Sequence, residues 1–145
     1  MAGGTAGRGN AETLKNMTQL RYSPAFWLGC VAVWFATLWV LSSNSHTNDN
    51  LPQIANIDKV AHFGFFFGGG GLLSAFLYRR QFQSPDWTRL ICTVTIFISA
   101  VGVLDELHQS FTPGRSGNDV YDWMADTLGG LTGAIVFKLL HRWVK

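Results

Sequence analysis

Side chains that could do chemistry are concentrated in three short stretches of this 145-residue chain, which begin near Asp58, Asp105 and Asp119. Carboxylates and imidazoles suit general acid–base work and can ligate divalent metals, while Lys and Arg can hold a phosphate or a carboxylate. The candidate functional cluster comprises Asp58, Lys59, His62, Asp105, Glu106, His108, Gln109, Arg115, Asp119, Asp122 and Asp126. The sequence has neither an H-E-x-x-H metal motif nor a nucleophile-elbow serine, so catalytic roles, metal ligands and cofactors stay open.

Four apolar blocks must position these residues. Each has close to the roughly 17–25 residues that cross a bilayer, and none carries the polar stripe of a soluble amphipathic helix through its middle. Only 14% of the residues are charged, against about 25% in soluble proteins. The sequence therefore predicts an all-α integral membrane protein with four transmembrane helices, at about 24–42, 60–78, 89–108 and 121–141.

The chain is short enough for a single domain. We predict a disordered cytoplasmic tail over residues 1–20 and a four-helix membrane domain over residues 21–145. The first apolar block is longer than the core of a signal peptide and rich in Trp and Phe, which favours an uncleaved anchor. Cys30 and Cys92 lie inside apolar blocks and suggest neither a disulfide nor a metal pair.

The distribution of basic residues predicts the orientation, because short loops rich in Lys and Arg stay in the cytoplasm. Such residues precede the first block, lie between the second and third blocks, and lie near the C-terminus. The other two loops contain only Lys59 and Arg115. Both termini are therefore predicted to be cytoplasmic. An alternating path then brings the whole candidate cluster to the outer leaflet.

Some members of the cluster have a simple structural explanation. Asp58 could cap the second helix, Ser116-x-x-Asp119 resembles a capping box before the fourth, and Lys59 could extend its ammonium to the interface. Asp105 and Glu106 are harder to explain in this way, because they lie at a helix C-terminus, where the dipole disfavours negative charge.

An ionisable group at this depth costs about 2.5–3.5 kcal/mol without a partner. His108 and Arg115 are the predicted partners of Asp105 and Glu106, with Arg115 held by a tight turn at Pro113-Gly114. Asp126, about a turn inside the fourth span, also needs a partner at membrane depth, and so does His62 in the second span. Since these groups converge from three helices, we interpret the cluster as a functional site.

Glycines indicate where the helices come close together. Gly64-x-x-x-Gly68 and Gly129-x-x-x-Gly133 match the small-residue pattern of membrane helix pairs. The run Gly68–Gly71 also offers a place for the second helix to bend, although close packing is the favoured explanation.

The polar motifs resemble those of the VanZ-like family, which takes its name from a teicoplanin-resistance protein, over about residues 58–140. The motifs are Asp58-Lys59-x-x-His62-Phe63, Asp105-Glu106-x-His108-Gln109-x-Phe111-x-Pro113-Gly114-Arg115 and Asp119-x-x-Asp122-x-x-x-Asp126-x-x-Gly129. The resemblance implies a multi-pass protein of the bacterial plasma membrane with a role in the cell envelope. It assigns neither a reaction nor a catalytic residue.

Two functions are compatible with these observations. The favoured one is a protein that binds a lipid headgroup, a glycopeptide or a partner protein, or relays protons, at the outer face, and contributes to teicoplanin-type resistance. The alternative is a membrane-embedded hydrolase or transferase acting on a phosphate- or ester-containing lipid or cell-wall precursor. Membrane lipid is a partner in both cases, and a transport role would favour a homo-oligomer, because four spans are few for a transporter. Nucleic acid is not an expected partner, because no basic stripe with interleaved aromatic residues occurs.

Overall fold

The computed structural model describes residues 23–44, 56–81, 85–115 and 117–144. Within these residues four α-helices follow one another, namely α1 (Pro24–Ser42), α2 (Ile57–Arg80), α3 (Trp87–Ser110) and α4 (Val120–Leu140), and a short 3₁₀ helix, His141–Val144, comes after them. The predicted all-helical class is confirmed. The predicted tail, residues 1–20, lies outside the described residues.

Three of the helices, α1, α2 and α3, are long and apolar enough to cross a membrane. Large apolar side chains cover their outer surface; Val33 on α1 and Ile96 on α3 are 67% and 70% exposed. Such a surface fits lipid better than water. α4 has a comparable length but falls outside this set, and it carries charged residues at Asp122, Asp126 and Lys138.

α2 and α4 form the most extensive helix pair, and glycines bring their backbones into contact. A Cβ atom on Gly129 or Gly133 would collide with the carbonyl oxygen of Phe63 or Phe67, respectively. A Cβ on Gly70 would collide with the backbone of Gly130. The predicted close approach at Gly129-x-x-x-Gly133 is therefore confirmed.

The prediction for the glycines of α2 was wrong in its register. A Cβ on Gly64 or Gly68 would meet nothing within 4 Å, so these positions face away from the described helices. The contact face of α2 instead runs through Phe63, Phe67 and Gly70, which have the spacing of one helical stripe. α2 also remains α-helical through the whole run Gly68–Gly71, so the contact uses these glycines without a break in the helix.

α1 packs on α2 through the side chain of Trp34. The indole stacks on Phe65 with ring centroids 5.7 Å apart, meets Phe66 edge-on, and donates a hydrogen bond of 3.1 Å to the Phe65 carbonyl. Gly69 provides the space, since a Cβ there would overlap the indole ring. Within the described ranges α1 contacts α2 and α3 but not α4.

An aromatic cluster joins the end of α2, the start of α3 and the end of α4. Tyr78 stacks on Trp87, and both rings contact His141. These helices are therefore antiparallel to their neighbours along the chain. The start of α2, the end of α3 and the start of α4 consequently share the opposite end of the bundle, where the predicted polar residues lie.

Candidate functional site

Lys59 links the first turn of α2 to the start of α4. Its ammonium group donates hydrogen bonds to Asp58 at 3.1 Å and to Asp119 and Asp122 at 3.0 Å each. Asp119 is also the N-cap of α4, where it accepts a 2.8 Å hydrogen bond from the Tyr121 amide. The Lys59 ammonium holds the pKa of the Asp119 carboxyl below its usual value of 3.8.

Lys59→Gln should lower the melting temperature, because three carboxylates then lose their shared cation. The Asp119 pKa is depressed, so this stabilisation is fully present above about pH 4 and is lost as the pH falls through the depressed pKa. The gap in melting temperature between wild type and Lys59→Gln should therefore close in acid. Thermal unfolding of the detergent-solubilised protein from pH 7 to pH 3 measures it. The control, Lys138→Gln on the exposed surface of α4, should give no such gap at any pH.

The prediction that Asp58 caps α2 was wrong. The N-cap residue is Asn56, which has a left-handed φ of 63° and makes no side-chain capping bond. Asp58 lies two residues later, in the first turn of the helix, and pairs with Lys59 instead. The capping role predicted for Asp119 is confirmed, whereas Ser116 of the predicted capping box lies outside the described residues.

His62 and Asp126 form the deepest contact of the cluster. The imidazole Nδ1 lies 2.9 Å from Asp126 Oδ1, and the Asp126 side chain has no exposed surface. Its other oxygen, Oδ2, has no hydrogen-bond partner in the described part of the chain. Gly102 on α3 leaves room for this carboxylate, because a Cβ there would lie 2.9 Å from Oδ2.

Asp105 and Glu106 are both buried at the end of α3, with 5% of each residue exposed. Asp105 accepts a 2.7 Å hydrogen bond from the Gln109 side-chain amide. One Glu106 oxygen accepts a 2.7 Å hydrogen bond from the Asp119 backbone amide, whereas the other has no partner among the described residues. Glu106 therefore fixes the loop before α4 and still presents an unpaired oxygen to the interior.

His108 forms neither a hydrogen bond nor an ion pair with Asp105 in the described part of the chain, contrary to our prediction. It stacks on Trp39 with ring centroids 3.9 Å apart, and its Nδ1 lies 3.2 Å from the Ser42 hydroxyl. At 100° per residue, position i+3 turns away from Asp105 on the side opposite to i+4. Gln109 therefore faces Asp105, while His108 faces α1.

Arg115 is held by the predicted turn, but its partners differ from those predicted. The Arg115 amide bonds back to the Thr112 carbonyl, and Gly114 has a φ of 80°, as a type II turn requires. The guanidinium donates to the carbonyls of Asn44 and Leu41 at 3.2 and 3.4 Å, at the C-terminal end of α1. Across the described ranges it forms no ion pair.

A cleft of about 470 Å³ separates α1 from α2 and α3 at this end of the bundle. Apolar side chains form most of its walls, and polar side chains lie among them. The lining residues are Leu38, Leu41, Ser42, Ile57, Asp58, Ala61, His62, Phe65, Phe66, Asp105, Gln109 and Arg115.

The contribution of α1 to this cleft was not predicted from the sequence. Leu38, Leu41 and Ser42 come from the first apolar block, which contains no charged residue. Only Ser42, a polar residue at the end of an apolar block, could have indicated that the helix turns a polar group inward. It is 3% exposed and lies against His108.

Three groups of side chains have ligand atoms close enough to hold a metal ion, with all such atoms in a group within 4.8 Å of one another. The groups are His62, Asp105 and Asp126; His62, Glu106 and Asp122; and Asp58, Asp119 and Asp122. In the third group all the carboxylates already bind Lys59.

One protein-family model matches the chain and identifies its family. The VanZ/LLP1 family model matches residues 8–141, nearly the whole chain. The chain belongs to the VanZ/LLP1 family. This match includes α1, which the resemblance noted in the sequence did not cover, and so it includes every helix that lines the cleft. Neither the curated proteins nor the solved structures give a match to the chain.

Proposed function

We propose that this VanZ/LLP1 protein binds the polar part of an amphiphilic envelope molecule, a lipid headgroup or a glycopeptide, at the outer face of the bacterial plasma membrane, and so contributes to teicoplanin-type resistance. Family membership supports the envelope setting. The cleft carries the proposal, because its apolar walls suit a hydrocarbon chain and its polar groups suit a headgroup.

Four spans with both termini in the cytoplasm fit the distribution of charge. The two acids of α4 are buried against neighbouring helices, so they do not oppose insertion as lipid-facing acids would. Basic residues are numerous at the end opposite the cleft: Arg79, Arg80, Arg89, Lys138 and Arg142. By the positive-inside rule this end is cytoplasmic, and the cleft faces outward.

The polar groups of the cleft suit a headgroup that carries both hydrogen-bond donors and an anionic group. Asp58 and Asp105 accept hydrogen bonds from hydroxyl or ammonium groups. Arg115 lies at the rim, and among the described residues its guanidinium binds only backbone carbonyls. Its planar fork can bind a phosphate or a carboxylate.

The proposal is tested by filling the cleft with a large side chain and, separately, by neutralising one of its carboxylates. Ala61 lines the cleft, and the neighbouring Val60 is 65% exposed and does not line it. A deletion strain is complemented with wild type, Ala61→Trp, Val60→Trp or Asp105→Asn, and the teicoplanin inhibitory concentration is measured at equal membrane levels of protein. Wild type and Val60→Trp should restore resistance, whereas Ala61→Trp and Asp105→Asn should lose most of it.

Binding is measured on the same variants in nanodiscs by calorimetry, with a short-chain anionic phospholipid and with teicoplanin in separate titrations. The ligand that binds wild type and Val60→Trp but not Ala61→Trp identifies the class. Equal complementation by all variants would show that the cleft is structural. An unchanged inhibitory concentration in the deletion strain would exclude the resistance role.

The His62–Asp126 pair favours a second candidate, a membrane-embedded hydrolase or transferase acting on a phosphate or ester bond. A buried carboxylate that orients an imidazole toward a cleft is an arrangement suited to general base catalysis. The two functions differ in one outcome. An enzyme predicts that Asp126→Asn abolishes function while ligand binding survives, whereas a binding protein predicts that both are lost together.

A further inference from the structure

The carboxylates of the site divide into two sets that differ in their positive partners. Asp58, Asp119 and Asp122 share the Lys59 ammonium. Asp105, Glu106 and Asp126 have no Lys or Arg partner in the described ranges, and His62 is the one basic side chain that contacts any of them. This second set is also the more deeply buried, with between 0% and 5% of each residue exposed.

Such an arrangement is costly unless a positive charge is added. Desolvation of each buried carboxylate costs several kcal/mol, and the neighbouring carboxylates repel one another in an environment that screens charge poorly. Two oxygens in the set, Asp126 Oδ2 and Glu106 Oε1, have no hydrogen-bond donor among the described residues. Buried oxygens without partners are rare in native proteins and indicate a missing ion, water or proton.

We propose that His62, Asp105 and Asp126 bind one divalent transition-metal ion at the inner end of the cleft. Their ligand atoms lie within 4.8 Å of one another. In a tetrahedral site with ligands about 2.0–2.2 Å from the ion, neighbouring ligand atoms are roughly 3.5 Å apart, so side-chain rotations that draw these three atoms together by about 1 Å complete the site. The inference rests on these contacts and does not depend on which ligand the cleft takes.

The other two candidate groups fit less well. The group of Asp58, Asp119 and Asp122 already has a cation, because Lys59 occupies its oxygens. In the group of His62, Glu106 and Asp122, one carboxylate binds Lys59 and the other holds the Asp119 amide. Within the described ranges Asp105 and Asp126 each make one side-chain hydrogen bond, with Gln109 and His62, respectively.

The chemistry of the ligand set selects the kind of ion. Two carboxylates and one imidazole suit Zn²⁺, Mn²⁺ or Fe²⁺ better than Ca²⁺, which prefers sites made entirely of oxygen ligands. His62 and Asp105 both line the cleft, whereas Asp126 lies behind them without exposed surface. The ion would therefore keep an open coordination position on the side of the cleft, toward a bound headgroup or a water.

The test uses the full-length chain in detergent, freed of metal with a chelator and titrated with Co²⁺ alone and then with Zn²⁺ alone. Wild type should bind one equivalent of Co²⁺ with visible d–d absorption, which Zn²⁺ abolishes by displacement. Asp126→Asn and Asp105→Asn should each weaken binding by more than about 100-fold, since even the loss of an outer-shell partner costs about 10–100-fold.

Two further variants separate a specific site from a general effect of charge. Asp119→Asn removes one carboxylate from the same end and keeps an N-cap side chain, so Co²⁺ binding should stay at the wild-type level. Gly102→Ala removes no ligand but places a methyl group 2.9 Å from the position of Asp126 Oδ2, and it should weaken binding by about 10-fold.

Melting temperatures with and without Zn²⁺ show whether each variant is folded. The metal should stabilise wild type and Asp119→Asn equally, Gly102→Ala less, and Asp126→Asn and Asp105→Asn least. The proposal is overturned if wild type binds no stoichiometric Co²⁺, in which case protons neutralise the buried carboxylates. It is also overturned if Asp119→Asn loses binding to the same extent as Asp126→Asn, because the ion would then belong to the Lys59 set.

Discussion

Gly133→Ala should destabilise the protein by about 3 kcal/mol, near the upper end of the usual cost of overpacking. The added methyl group would collide with the Phe67 carbonyl oxygen and crowd the Gly71 amide, both of which are backbone atoms of α2. A flexible side chain could turn away from such a contact, but a packed helix backbone cannot. The whole α2–α4 contact would have to open, and with it the spacing between His62 and Asp126.

The free energy of unfolding is measured by SDS titration of the protein in mixed micelles, followed by circular dichroism. Gly68→Ala provides a matched control, because it makes the same chemical change on α2 where a Cβ would meet no atom within 4 Å. It should be neutral or stabilise by up to about 1 kcal/mol, since Ala favours a helix over Gly. Equal destabilisation by the two variants would mean that α2 and α4 are not in direct backbone contact.

Trp34→Ala should destabilise the protein by about 3 kcal/mol and should also abolish ligand binding. Removal of the indole leaves a cavity beside Phe65 and Phe66 and removes the hydrogen bond to the Phe65 carbonyl. The value is at the low end for Trp→Ala, because packing rather than exclusion of water holds membrane helices together. α1 would separate from α2, and the cleft would lose its outer wall.

Phe35→Ala is the control for this prediction, since Phe35 lies on the same helix and is 38% exposed. It should reduce stability by less than about 1 kcal/mol and leave binding intact. The same SDS titration gives the stability, and calorimetry in nanodiscs gives the affinity. Retention of full affinity by Trp34→Ala would show that α1 does not shape the ligand site.

Sequence patterns predicted which residues share one end of the bundle, because that placement depends only on the order of apolar and polar segments. They could not predict the partner of each side chain, which depends on how far each helix is rotated about its axis. His108 and Gln109 illustrate the limit: both are about one turn from Asp105, yet of the two only Gln109 forms a hydrogen bond with it.

The same limit explains the glycines. Gly64 and Gly68 form a small-residue pair as regular as Gly129 and Gly133, but only the second pair faces another described helix. A pattern shows that a close approach is allowed, whereas the choice of face is made by the rest of the bundle. The prediction that Arg115 neutralises carboxylates failed for a related reason. Its guanidinium binds backbone carbonyls at the end of α1, and a backbone acceptor cannot be recognised from residue types in the sequence.

The position of α1 determines how a ligand would reach the proposed site. α1 packs on α2 and α3 but not on α4 within the described ranges, and the residues at the mouth of the cleft include Leu41 and Ile57, which are 43% and 55% exposed. An amphiphile could therefore enter sideways while its hydrocarbon tail stays in the bilayer. Occupancy would then follow the mole fraction of the ligand among the surrounding lipids, and diluting the membranes in buffer would leave it unchanged.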